Sequence, residues 1–167
     1  MKYTEIDTYE QDFIVRTKRH IQLVQHFAKM IAKLYPSIAN NLLNDVKEHD
    51  ASKFIEPEYS GYIWINAHYN LHIPYPSTEI EKLADDAWKY HYQHNDHHPE
   101  YFSDVNKMTK AQIAHMISDW KAMEYITTHN VLKLRQFYNT IAKKTYKFDK
   151  QHTTWIEQFI LELEDKC

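Results

Sequence analysis

Four of the chain's twelve histidines fall within eight residues, in the stretch KYHYQHNDHHPEY at residues 89–101: His91, His94, His97 and His98. Neutral imidazole is a borderline-soft donor that suits zinc, iron, nickel and copper. Upstream, Thr78-Glu79-Ile80-Glu81 has the form of a capping box, which predicts a helix opening at Thr78. That helix carries Ile80, Leu83, Ala84 and Ala87 on one stripe. Continued at helical spacing, the stripe brings His91, His94 and then His98 into line, while His97 points elsewhere. A face that begins apolar and ends in imidazoles is aimed at the interior, so this helix end is expected to supply ligands to a buried metal centre. For this stretch alone, the alternatives are a solvated His-rich helix end or an adventitious metal-binding surface.

Other candidates are spread along the chain. His20 sits in an apolar stripe formed by Phe13, Thr17, Val24, Phe27 and Ile31; a core histidine satisfied by a carbonyl is the bland reading of it. His49-Asp50 ends a short helical segment bearing Ile38, Leu42, Leu43 and Val46. Adjacent residues on a regular helix diverge by about 100°. The pair can therefore converge on one ion only at a helix terminus or at the crowded inner surface of a bundle. His68 and His72 stand at i, i+4, a chelating spacing, but on an amphipathic, Tyr-rich segment that runs into the loop LHIPYPS. Asp119 falls among Ile113, Met116, Ile117, Trp120, Met123 and Ile126. Burying a bare carboxylate costs several kcal/mol, so Asp119 must be ion-paired, hydrogen-bonded or metal-bound unless it lies at the edge of the stripe. His115, one turn earlier, is a neighbour of Asp119 or supports it from behind.

The elements that must position these groups read as helices throughout. The 167 residues include one Gly and five Pro. So few glycines disfavour hairpin-rich β folds, Rossmann folds and P-loops, whose Gly-rich motifs are absent. Capping-box patterns at Thr8-Tyr9-Glu10-Gln11, Thr109-Lys110-Ala111-Gln112 and Thr154-Trp155-Ile156-Glu157 open further helices, the first stopping near Leu34 before Pro36. Pro57 opens another, and residues 130–147 form an amphipathic helix with Val131, Leu134, Phe137, Tyr138 and Ile141. The expectation is one all-α domain over residues 1–167, a bundle of about six to seven helices whose last two complete the core or form an interface.

The formal charge of −3 and the absence of a basic run argue against a nucleic-acid partner. The single cysteine, Cys167, allows no intramolecular disulfide. No apolar run approaches membrane-spanning length, and the polar N-terminus is unlike a secretory signal. A cytoplasmic protein is the expectation, with homo-oligomerisation left open.

Taken in order, His20, His49-Asp50, a His cluster and Asp119 resemble the ligand pattern of the HD-domain superfamily, in which a His, a His-Asp pair and a distant Asp from separate helices hold one metal. Lys53 of HDASK matches the Lys of the HD-x-x-K pattern. The resemblance is closer to an uncharacterised bacterial and phage family within it, with motifs like His … HD-x-SKF … H-x-x-HN-x-HHPEY … DW, and covers roughly residues 15–125. It implies an HD-type helical bundle holding one or two divalent ions of Mn, Fe, Co, Ni or Zn. His20, His49, Asp50 and Asp119 would hold the first, with Asp50 bridging; His91, His94 and His98 are candidates for a second.

The activity this implies is phosphohydrolysis of a small phosphate-bearing substrate by metal-activated water, with Asp50, Lys53 and His97 as catalytic candidates. Two departures matter. The interval between the His-Asp pair and the His cluster is long and Tyr-rich, and the GYP-type motif of cyclic-dinucleotide phosphodiesterases is missing. The other expectations consistent with the resemblance are a di-iron oxygenase on the same fold and a catalytically degenerate binding or accessory protein.

Overall fold

The computed structural model describes residues 3–126 and 132–164. Among them there is no strand. The helices are α1 (Tyr3–Leu34), α2 (Pro36–Asp45), α3 (Tyr59–Leu71), α4 (Thr78–His94), α5 (Lys110–Ile126), α6 (Leu134–Phe137), α7 (Lys143–Thr145) and α8 (Lys150–Glu164), with a π-helical turn, Tyr138–Ala142, between α6 and α7. The expected start of a helix at Asn130, its Val131 and Cys167 lie outside the described residues.

The bundle is built around α5, which packs against α1, α2 and α8. Val24, Phe27, Ala28 and Ile31 of α1, Leu42 of α2, Ile113, Met116 and Ile117 of α5, and Ile156, Phe159, Ile160 and Leu163 of α8 form the main apolar cluster, all essentially inaccessible. A smaller cluster of Trp64, Ala67 and Ala84 joins α3 to α4, with Tyr9 of α1 packed against it. His20 lies on α1 between these two regions. The fold's position for polar chemistry is thus the seam where α1, α5 and the α3–α4 pair meet.

Local signals explain most of the boundaries. Thr109 and Gln112 form a reciprocal cap: Gln112 N–H donates to Thr109 Oγ1 (3.2 Å), and Thr109 N–H to Gln112 Oε1 (2.9 Å). Elsewhere the cap lies outside the pattern that marked it. On α4 it is Ser77, whose hydroxyl accepts from Ile80 N–H, rather than Thr78. α8 opens at Lys150, because Asp149 Oδ1 already accepts from His152 N–H (2.8 Å). Thr154 is inside the helix and donates back to the Lys150 carbonyl (2.8 Å). α1 likewise begins before the Thr8 pattern, and α3 begins at Tyr59, two residues beyond Pro57. No helix among the described residues is long and apolar enough to cross a membrane.

Candidate metal centre

The His49-Asp50 pair sits where regular helix has ended. After a 3-10 turn, Val46–Glu48, His49 is extended (φ −53°, ψ 127°) and Asp50 is left-handed (φ 58°, ψ 11°). This break lets two adjacent side chains converge, which a continuing helix would forbid. The residues of α1 and α5 that meet them are His20 and Asp119. His20 Nε2 lies 2.9 Å from Asp119 Oδ1, 3.0 Å from His49 Nε2 and 3.5 Å from Asp50 Oδ2. His49 Nε2 is 3.5 Å from Asp50 Oδ2 and 3.8 Å from Asp119 Oδ1. Two imidazole nitrogens and two carboxylate oxygens from three separate points of the chain therefore face one small volume. Lys53 closes one side by donating to Asp50 Oδ2 (2.8 Å), with its Nζ 4.7 Å from the centre of the Tyr62 ring.

The other oxygen of Asp50 faces a second group. His91 Nε2 is 3.3 Å from Asp50 Oδ1, and His97 Nε2 is 3.9 Å from it. His91, His97 and His98 have ligand atoms within 4.8 Å of one another, as do His20, His49 and Asp50 in the first group. Behind His91, Glu58 is fully enclosed and its Oε2 lies 2.7 Å from His91 Nδ1. A carboxylate there accepts a hydrogen bond from Nδ1–H and leaves the Nε2 lone pair available as a ligand, the arrangement that orients metal-ligating histidines. His115 of α5 adjoins both groups: its Nε2 is 3.0 Å from His49 Nδ1, its ring stacks on His97, and the three have ligand atoms within 4.8 Å of one another.

Burial and charge set the protonation of these groups. Burial pushes His49 and His98 well below the ordinary imidazole range, His97 down to about 4 and His115 down to about 3. For Asp50, burial favours the neutral acid, but His49, Lys53 and His91 outweigh it and hold the carboxyl well below its usual range. Asp119 behaves likewise, with His20 the main counterweight to burial. Neutral imidazoles beside ionised carboxylates are the donor state a divalent cation requires.

Unpartnered atoms make the same point. Asp50 Oδ1, His91 Nε2 and His97 Nε2 are all buried without a hydrogen-bond partner, as are His20 Nδ1, Glu58 Oε1 and His115 Nδ1. Buried polar groups are normally satisfied. Three buried polar atoms close to one another and without a partner are what a cation between them would satisfy, so the donor set fits a metal.

The structure brings together His20, His49, Asp50, Lys53, His91, His97, His98 and Asp119. It does not bring in His94. α4 ends there, with Asn95 as its C-cap (φ −117°, ψ 115°). His94 is exposed, stacked on the Tyr90 ring, with Nδ1 2.8 Å from the Tyr90 carbonyl. The expectation for His97 is also corrected. It assumed helix through residue 98, whereas the turn after Asn95 folds both His97 and His98 back into the interior. His68 is elsewhere, stacked on Tyr75 and 3.1 Å from the Ile73 carbonyl. Glu58, in the polar run EPEYS, was not anticipated: a carboxylate there reads as solvated, and only its spatial approach to His91 marks it.

Fold and site together define an all-α bundle with a buried His/Asp cluster that could hold a metal ion. The chain belongs to the family described as "Family of unknown function (DUF5662)", which it matches over residues 9–162. No curated protein matches the chain, and no solved structure does.

Proposed function

We propose that this protein is a metal-dependent phosphohydrolase of the HD-domain type, holding one or two divalent transition-metal ions and acting on a small phosphate-bearing substrate. The observation that carries the reading is the division of Asp50: Oδ2 faces His20 and His49, and Oδ1 faces His91 and His97. A buried carboxylate with a nitrogen-rich donor group on each side has the chemistry of a ligand shared by two ions. His20, His49, Asp50 and Asp119 would hold one ion, and His91, His97, His98 and Asp50 the other. Such an ion supplies Lewis acidity, making water a usable nucleophile near neutral pH and neutralising phosphoryl oxygens.

The protein's own groups supply the rest. Asp119 and His98 are the least buried of the donors, and Lys53, paired with Asp50, is half-buried, so substrate would reach the centre past these groups. Lys53 offers the cation that binds phosphoryl oxygens there. Glu58 holds the His91 proton on Nδ1 and keeps Nε2 available.

Elemental analysis of the purified protein, followed by phosphate release from a panel of phosphomonoesters and phosphodiesters, tests this. One or two equivalents of a divalent transition metal, with phosphate release abolished by Asp50→Ala, is the expected result. Absence of stoichiometric metal after reconstitution would end the reading. An iron centre that consumes dioxygen and releases no phosphate would place the chemistry in the oxygenase class.

A further inference from the structure

We infer that His115 is a positioning residue: it fixes His49 in the tautomer that lets Nε2 bind metal. The inference rests on the metal-centre reading above and concerns a residue that reading leaves without a role. His115 is 2 % exposed, on α5 one turn before Asp119. Its Nε2 lies 3.0 Å from His49 Nδ1, and His97 offers a ligand atom within 4.8 Å of both rings. His49 Nε2 faces His20, Asp50 and Asp119.

A neutral imidazole carries one proton. If His115 Nε2 held the proton and donated it, His49 Nδ1 would be the acceptor and His49's own proton would sit on Nε2. That proton would point at His20 Nε2 and remove His49 from the donor set. In the opposite sense, His49 Nδ1–H donates to His115 Nε2, and His49 Nε2 presents its lone pair to the cluster. The single contact therefore decides whether His49 is a ligand. His115 is itself held in place: its ring stacks on His97 at 4.6 Å between centroids with a 25° interplanar angle. His115 does for His49 what Glu58 does for His91, with a neutral acceptor in place of a carboxylate.

The test uses zinc alone and the full chain. In the zinc-loaded protein, long-range 1H–15N correlation of the histidine rings should show His49 protonated on Nδ1 and His115 with an unprotonated Nε2. His115→Leu, which keeps bulk but offers no acceptor, should weaken zinc binding by about 10- to 100-fold. His115→Gln, whose Oε1 can accept the same proton, should recover most of that affinity. A wild-type spectrum with His49 protonated on Nε2 overturns the inference without needing any variant. So does wild-type affinity in His115→Leu. Loss of a whole equivalent of zinc in both variants would instead make His115 a ligand, which also overturns it. If the wild-type chain binds no zinc, the metal centre itself fails, a result separate from any outcome at His115.

Discussion

Asp50 has a positive φ of 58°, a backbone region that costs most residues with a Cβ about 1–2 kcal/mol and that Asp and Asn tolerate best. The side chain and the backbone of this position can therefore be separated experimentally. Asp50→Ala removes the carboxylate and leaves the strain, whereas Asp50→Gly removes both. Neither variant should retain metal, by elemental analysis after dialysis. Metal-free Asp50→Gly should be the more stable in urea, by about 1 kcal/mol; equal midpoints would mean that the turn carries no strain. Lys53→Ala makes the complementary prediction. It should keep its metal and raise KM for phosphate-bearing substrates, since its ammonium sits at the cluster's edge; unchanged kinetics would remove it from the site. Position on an apolar stripe marked His20, His91, His94, His98 and Asp119 as side chains in need of a partner, but only their order along the chain and the resemblance to the HD-domain pattern joined them with His49-Asp50 into one candidate set. Residue types could not find Glu58. Nor could they sort His94 from His97, since that choice depends on where α4 stops.

At the scale of elements, the decisive contact is between α3 and α4. The chain's only glycine, Gly61, faces α4 so closely that a Cβ would overlap that of Ala87 and sit 2.8 Å from the Leu83 carbonyl oxygen. One turn beyond Ala87 on the same stripe is His91. Gly61→Ala should thus push α4 outward, cost about 1–3 kcal/mol of stability, and weaken metal binding at His91. Adding Ala87→Gly should restore part of both, because it removes one of the two clashes; urea unfolding and zinc titration on the pair would show whether the contact sets ligand position. Most of these helices were legible from apolar periodicity, since each buries one face. α5 is the exception. It is buried nearly all round, so Lys121 is enclosed and paired with Glu124 (3.2 Å), while Met123 is 46 % exposed. Stripe arguments assume one wet face, and for a central helix that assumption fails. The first and last helix starts were missed for a different reason: a Ser/Thr-x-x-Glu/Gln match is short enough to occur inside a helix.

At the scale of the whole molecule, the cluster is a store of neutral imidazoles, which ties the stability of the metal-free protein to pH. Burial holds His97 near pKa 4 and His115 near 3, and holds His49 and His98 well below their usual range. In the unfolded chain each returns to about 6.5. Below that pH the unfolded state binds protons that the folded state refuses, so acid favours unfolding. The stability these groups contribute is complete above about pH 6.5 and is lost as pH falls toward each folded pKa. Each group costs up to about 1.4 kcal/mol per pH unit. Asp50 and Asp119 act in the same direction at lower pH, since their depressed values lose their advantage only below the ordinary carboxylate range. A protein whose histidines were all solvated would show little of this slope between pH 7.5 and 5.5. The metal-stripped chain should therefore lose several kcal/mol across that interval in urea unfolding. A replacement of His152 should leave the metal content unchanged, because that residue is engaged with Asp149 and the Met108 carbonyl, away from the cluster. Saturating zinc should hold the urea midpoint up at pH 7.5 and give way on acidification, as protons compete for the same nitrogens. A flat midpoint in the stripped protein would show that these imidazoles reach water in solution, and a cluster open to water could not hold the donors in the state the metal needs.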